Sequence, residues 1–374
     1  MTMLLVGVLS LAALVAIWAG YPLVVRLLGA CRSESTALPA DVSPSVSVII
    51  ASHDEPAAII ARIDDVLRSA YPAERIEVVV GLDSVRGRSS VATLRHPDPR
   101  VTILTGDSPG GKAASLNAAV RMARHDLLIF TDTAQTFEPS AIAELANQFG
   151  DPRTGAVSGM LELGKSGRRL NLAERYWLYE RWLRRWEARL YSTVGVTGAI
   201  YAMRRSLWED LPVALILDDL YGPMRLVLQG WRVGFSERAL AHDGRRFAAA
   251  DEYRRKVRTL TGVIQVCVWL PGVLNPIRNP IWLQFVFHKL LRLVTPYLTI
   301  LVAVSGAWTV GSVLAASPSG MRILPGAGLA FALLCLLPRV RRALAAQIAW
   351  GVSLQSSIVV ATINGVRGKW NVWQ

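Results

Sequence analysis

At 374 residues the chain is long enough for one sizeable domain and something more, since a domain takes roughly 150 residues. With 52% hydrophobic residues, only 18% charged residues and a positive mean hydropathy, it is neither an ordinary soluble protein nor a disordered one. Its 41 Lys and Arg against 28 Asp and Glu, a formal charge of +13, read as cytoplasmic segments facing anionic lipid, and not as a nucleic-acid footprint.

The first predicted element runs from Met3 to Val25 and is almost continuously apolar. At about 1.5 Å per residue, a helix of that length crosses a hydrocarbon core of about 30 Å. It has no basic start of the kind a cleaved signal carries, and Arg26 and Arg32 follow it. Residues 1–30 therefore read as a retained transmembrane helix, with the N-terminus outside and the next domain in the cytoplasm.

From residue 40 to 270, short apolar strands alternate with helical stretches, the pattern of an α/β domain with a mostly parallel, Rossmann-like sheet. Strands are predicted at Val46–Ser52, Ile76–Leu82, Val101–Thr105 and Leu127–Thr131, and helices at Ala57–Ser69, Gly111–Arg124 and Ser140–Phe149. Ligands of such sheets sit beyond the C-terminal strand ends. There the chain places His53, Asp54 and Glu55 after the first strand, Asp83 and Ser84 after the second, and Asp132 after the fourth. Any one of these is also a common helix cap. Together, the three carboxylate-bearing strand ends suit a hydroxyl-rich or metal-bridged ligand, because carboxylates accept from sugar hydroxyls and hold hard cations. Gly110-Gly111-Lys112 opens a helix with amides and an ammonium suited to phosphate. The Walker spacing G-x-x-x-x-G-K-[ST] is missing, and no G-x-G-x-x-G follows the first strand, which argues against a P-loop and against a nicotinamide or flavin site.

Leu170–Tyr191 is a predicted helix that mixes Trp177, Trp182 and Trp186 with arginines, as membrane-interface helices do. Core packing accounts for the same tryptophans equally well. Asp218 and Asp219 precede the apolar run Leu220–Leu228 and suit a helix N-terminus whatever else they do. His242 stands beside Asp243, and in the basic run Arg254–Arg258 the spacing of Arg255 and Arg258 puts both on one helix face. Residues 271–292 read as an interfacial segment carrying Trp282, His288, Lys289 and Arg292. Residues 293–374 read as about three transmembrane helices, from apolar runs at Leu291–Ala316, Ile323–Leu337 and Ala343–Ile363, the second ending in a cytoplasmic Arg339, Arg341 and Arg342 cluster. Cys31, Cys267 and Cys335 have no zinc spacing and no even count, so they read as thiols in a reducing compartment.

Seven stretches carry a resemblance: VSVIIASHDE (Val46–Glu55), VVVGLDS (Val78–Ser84), GKAASLN (Gly111–Asn117), FTDTAQTFEP (Phe130–Pro139), GVTGAIYAMRR (Gly195–Arg205), LDDLYGPMRLVLQG (Leu217–Gly230) and YRRKVR (Tyr253–Arg258). In type and order, over residues 44–265, the chain resembles the family 2 glycosyltransferases, in the membrane-integrated branch of cellulose, chitin and hyaluronan synthases. The resemblance implies a GT-A fold and an inverting, hexosyltransferase-type enzyme of the bacterial inner membrane with its catalytic domain in the cytoplasm. Its partners are then a nucleotide-sugar donor, an envelope glycan or lipid-linked acceptor, and the lipid bilayer. The resemblance also implies donor contacts from Asp54, Glu55, Asp83, Lys112, Asn117, Asp132, Arg255 and Arg258, and an acceptor side at Gly198, Ala199 and Trp182. Asp219 becomes the catalytic base, with Asp218 beside it.

Two departures from the family pattern matter. Ala134 stands where D-x-D has its second acid, so Asp132, with His242 as a candidate helper, is left to hold a Mg or Mn ion, and metal dependence stays open. Thr259 stands where processive synthases carry Trp, which removes a stacking surface near the acceptor end. Ala134 also keeps a second reading in play: a non-catalytic membrane scaffold of this fold that binds nucleotide or partner proteins.

Overall fold

The computed structural model describes residues 2–32, 43–86, 88–163, 172–245, 249–316 and 338–370. The chain opens with α1 (Thr2–Val15) and α2 (Tyr21–Ala30), joined through a π-helical turn at Ala16–Gly20. Aliphatic and β-branched residues then form β1 (Val46–Ser52) and β2 (Ile76–Leu82), whose stiff side chains favour an extended backbone buried on both faces. Between them runs α3 (Pro56–Leu67), with proline at its first position, where a missing N–H costs nothing. Next come β3 (Val101–Thr105), α4 (Lys112–Met122), β4 (Leu127–Thr131), the two-residue β5 (Thr136–Phe137) and α5 (Ala141–Ala146). The second half supplies β6 (Thr154–Leu163), α6 (Leu172–Leu190), β7 (Tyr201–Arg204), α7 (Asp218–Leu228) and β8 (Arg232–Asp243). The helices α8 (Ala249–Trp269), α9 (Trp282–Phe285), α10 (Thr295–Ala316) and α11 (Pro338–Val366) follow.

The strands make one sheet in the order β3-β2-β1-β4-β7-β6-β8-β5. Its first half is parallel, with Val46 paired to Ile76 on one side and to Leu127 on the other. Four of its seven strand pairings are parallel, β6–β8 among them, in line with the expected mostly parallel sheet; beyond β4 the sheet is mixed, because β7 runs antiparallel to both β4 and β6, and β5 runs antiparallel to β8. Val48, Ile50, Val78, Val80 and Ile129 pack beneath Ile59, Ile63 and Val66 of α3 and Ile142 and Leu145 of α5. Each such side chain, fully buried, contributes about 1.5–3 kcal/mol.

The chain divides into two units. Val25–Phe247, Gly262–Phe285 and Trp370–Gln374 form the unit that carries the sheet. Met1–Val24, Ala248–Thr261 and Val286–Lys369 form the other. Within the latter, α1 lies along α10, Trp18 Nε1 donates to Thr295 Oγ1 at 3.2 Å, and the Arg292 guanidinium sits 4.7 Å from the centre of the Trp18 ring. Among the described residues two helical stretches, Thr2–Ala30 and Trp282–Ser312, are long and apolar enough to cross a membrane. The second begins nine residues before the expected Leu291, because the segment expected at the interface is itself helical from Trp282 onward. The expected run Ile323–Leu337 lies outside the described residues. The run Ala343–Ile363 falls within α11.

Candidate active site

Asp132 follows the last residue of β4 at the sheet edge where β1 and β2 also end. Lys112, the first residue of α4, reaches across it: its Nζ lies 3.1 Å from Asp132 Oδ1 and 3.2 Å from Asp218 Oδ2. Two residues preceding α4, Gly110 and Gly111, have φ of +88° and +90°, conformations that let the chain turn into the helix at this point. Burial disfavours the ammonium, but the negative charges of Asp132, Asp218 and Asp219 outweigh it and hold Lys112 above the ordinary lysine range. Asp218 and Asp219 form the first turn of α7, so they face the positive end of that helix as the sequence predicts.

Asp219 is placed by the Gly195–Gly198 turn. Its main-chain oxygen accepts the Val196 N–H at 2.8 Å, and a Cβ on Gly198 would stand 3.3 Å from Asp219 Oδ2. Ala199 follows, its oxygen accepting from Thr131 Oγ1 at 2.9 Å. Gly198 and Ala199, expected on the acceptor side, thus join the end of β4 to Asp219. Trp182 stacks instead along α6 on Tyr179, at 6.5 Å between ring centres. From α6, Arg184 reaches this turn and donates to Thr197 Oγ1 at 2.9 Å.

Two groups that sequence reasoning passed over complete the cluster. Tyr201 on β7 is buried, stacked 4.5 Å from Phe130, and its hydroxyl is pushed well above the usual range, first by burial and then by Asp218, Asp219 and Asp132. It therefore stays protonated beside these carboxylates. Arg62 on α3 is wholly buried, pairs with Asp65 and donates to Thr131 Oγ1 at 2.8 Å. Burial lowers its pKa to about 10 against the pull of Asp65 and Asp132, so a fixed positive charge remains behind the end of β4 at neutral pH.

The remaining residues expected to contact a donor have partners within the fold. Asp83 Oδ1 accepts the N–H groups of Val85 at 2.9 Å and Arg86 at 3.1 Å. Burial opposes its charge, yet the amides of Val85, Arg86 and Gly111 hold its carboxyl below the usual range. Asn117 spends its side chain on Leu211, donating to the carbonyl at 2.9 Å and accepting the N–H at 2.8 Å. The Asp54 N–H bonds Ser52 Oγ at 3.1 Å. Glu55 meets Arg88 at 3.7 Å, an exposed pair that contributes little. Arg255 and Arg258 lie on α8 within the segment Ala248–Thr261, which belongs to the other unit.

His242 Nε2 lies 2.7 Å from Glu138 and Nδ1 3.6 Å from Glu162. Asp243 is buried, bonded by Gln135 at 3.0 Å and by Arg245 at 2.7 Å. Among the described residues no group of three His, Cys, Asp or Glu is placed to hold a metal ion. Of the two expected metal ligands, Asp132 is bridged by Lys112 and His242 is bonded to Glu138.

Known proteins give these residues a context. A sequence model described as "Glycosyltransferase like family 2" matches residues 44–262. An N-acetylglucosaminyltransferase of Rhizobium meliloti (strain 1021) is 30% identical over 128 residues, covering 33% of this chain and 30% of that protein. The O-antigen biosynthesis protein RfbC of Myxococcus xanthus is 31% identical over 117 residues, 31% of this chain and 9% of that protein. The matches thus span under a third of these relatives' length. Among solved structures, the mannosyltransferase PcManGT from Pyrobaculum calidifontis, in complex with GDP-Man and Mn2+, aligns with a TM-score of 0.69 over 97% of this chain and 99% of that one. At 20% identity, that likeness speaks for the fold.

Proposed function

The chain belongs to the glycosyltransferase-like family 2, and from that premise we propose that it is a membrane-bound, inverting hexosyltransferase. In this reading it moves a sugar from a nucleotide donor to an envelope glycan or lipid-linked acceptor at the cytoplasmic face. The observation that carries it is the meeting of Asp132 and Asp218 on Lys112, at 3.1 and 3.2 Å, with Asp219 next in the chain. An acceptor hydroxyl beside Asp219 gives its proton to that carboxylate as the oxygen attacks the anomeric carbon. On the opposite face the bond to the diphosphate breaks, its electron pair leaves with the nucleoside diphosphate, and the configuration inverts. Lys112 supplies positive charge among the carboxylates as the leaving group's negative charge grows. The bilayer enters through Thr2–Ala30 and Trp282–Ser312, and Leu4, Leu5, Val8 and Leu9 on α1 are 54–60% exposed, as lipid-facing side chains would be.

Membranes carrying the protein, given GDP-mannose, UDP-N-acetylglucosamine and other nucleotide sugars, should release nucleoside diphosphate from at least one donor. Folded protein that binds UDP or GDP yet turns over no donor would favour the second reading, a non-catalytic scaffold, which Ala134 motivates. Release of the protein from membranes by alkaline carbonate would sink the membrane assignment.

A divalent cation, when bound, supplies a Lewis acid that neutralises the diphosphate. The fit here is partial, because the D-x-D position offers one carboxylate and Lys112 already stands on it. Excess chelator is therefore expected to lower activity without abolishing it. Ala134→Asp should lower the Mg2+ or Mn2+ concentration needed for half-activation. No gain in that variant would show that Asp132 does not hold the ion.

A further inference from the structure

The two carboxylates at the start of α7 are aimed by the loop that precedes them, and that loop carries an uncommon backbone. Ala214 has φ of 61°, in the left-handed region that side chains other than glycine adopt only at a cost. Such a conformation persists when its surroundings over-determine it. The surroundings here are specific. Gln265 of α8 is wholly buried; its Oε1 accepts the Ile216 N–H at 2.8 Å, and its Nε2 donates to the Ala214 carbonyl at 3.0 Å. One side chain thus holds both ends of the Ala214–Ile216 turn.

One helical turn earlier on the same face of α8 stands Gly262. A Cβ there would come within 3.0 Å of Ile216 Cγ2 and would overlap Leu217, so the missing side chain is what lets α8 approach the loop. At the loop's other end, Asn117 of α4 holds both polar groups of the Leu211 backbone, at 2.8 and 2.9 Å. Residues 211–216 are therefore clamped by two side-chain amides from different helices, and Asp218 follows two residues later. A fold in need of nothing but a connection there has no use for a left-handed alanine. A fold that must leave the loop in one fixed direction does.

We propose that Gln265 is a positioning residue for the Asp218–Asp219 pair: by fixing the Ala214–Ile216 turn it sets where the Asp219 carboxylate stands relative to the acceptor hydroxyl. The proposal rests on the glycosyltransferase reading above and adds to it a residue outside the motifs that carry the family resemblance.

The test uses the full-length protein and a donor that it turns over. Gln265→Met keeps the volume and removes both hydrogen bonds. It should lower kcat by on the order of tenfold or more, because small misplacements of a reacting group are costly, while the donor KM and the Kd for UDP or GDP stay within about twofold. Ala214→Gly in the Gln265→Met background should recover part of that loss, since glycine adopts the left-handed turn without an anchor. A wild-type kcat in folded Gln265→Met overturns the proposal, and so does an equal loss of donor affinity and kcat, which marks a general structural role. If Gln265→Met does not fold, Gln265→Glu, which keeps the acceptor for Ile216, serves instead, with the same split between kcat and KM expected and a wild-type kcat again decisive against it. Wild-type protein that turns over no donor would fail the enzyme reading itself, and this inference would fall with it.

Discussion

Asp219→Asn is expected to lower turnover on the order of a hundredfold or more while leaving donor affinity within about twofold, because general-base contributions are typically of that size. Asparagine has the shape of aspartate and leaves the Val196 N–H bond to the Asp219 main-chain oxygen untouched, so the turn at Gly195–Gly198 should keep its place. What it cannot do is accept a proton. The loss of a negative charge from the first turn of α7 costs about 0.3–1 kcal/mol through the helix dipole, too little to unfold the unit. Asp218→Asn provides the contrast. Asp218 is ion-paired with Lys112 at 3.2 Å, so its removal alters the charge balance around the donor and should weaken donor binding as well as turnover. Rates and nucleotide affinities measured on both variants decide the matter, and wild-type turnover in Asp219→Asn would remove that residue from the base role.

The second large effect is expected at Lys112. Lys112→Met removes the cation that Asp132 and Asp218 share and leaves three carboxylates, Asp219 included, without it. Breaking a fully buried pair costs about 3–5 kcal/mol. The Lys112 side chain is still 29% exposed, so the expected loss is smaller, on the order of 2–3 kcal/mol. Turnover should fall at least as far as in Asp219→Asn, because both the leaving-group cation and the geometry of the carboxylates are lost. The sign of the pH dependence follows from the raised pKa of Lys112. A lysine held above its ordinary value of about 10.4 contributes its full stability below that value and loses it only as pH rises through the folded-state value. The deficit of Lys112→Met in thermal unfolding should therefore be flat between about pH 6 and pH 9. A variant as stable as wild type across that window would show that the two contacts are not a stabilising pair.

The first four strands are legible in the sequence because each is a short apolar or β-branched run bounded by polar residues; β1, β2 and β4 are buried almost throughout, while β3 at the sheet edge is half-buried. The second half of the sheet is not legible in this way. β6 is interrupted by Gly155 and Gly159, its register with β8 shifts twice, and β8 mixes charged, small and apolar residues with no sustained alternation. The site divides in the same manner. Lys112, Asp132, Asp218 and Asp219 stand in short motifs whose order carries meaning, and the structure brings them together. Arg62 and Gln265 look like ordinary helix residues, because their partners Thr131 and Ile216 are 69 and 49 residues away and no local pattern marks the pairing. Tyr201 reads as one more apolar strand residue until the carboxylates around its hydroxyl are in view. On α6 the aromatic pattern marks Trp182, which stacks on Tyr179, while nothing in the local sequence marks Arg184, which makes the bond to Thr197.

The sheet-bearing unit is made of three separate stretches of chain, and that limits where the gene can be cut. A fragment ending at Phe247 would encode every carboxylate of the cluster and omit Gln265, which holds the Ala214–Ile216 turn. Extending it to residue 270 restores that amide but drops Gln284, whose Nε2 donates to the Ser192 carbonyl at 2.9 Å in the approach to the Gly195 turn. Trp370, which meets Trp269 edge to face at 6.3 Å, is encoded beyond α11. A crystallisation or screening fragment of this unit thus has to be assembled from non-adjacent coding segments, with a designed linker in place of residues 248–261 and another in place of residues 286–369.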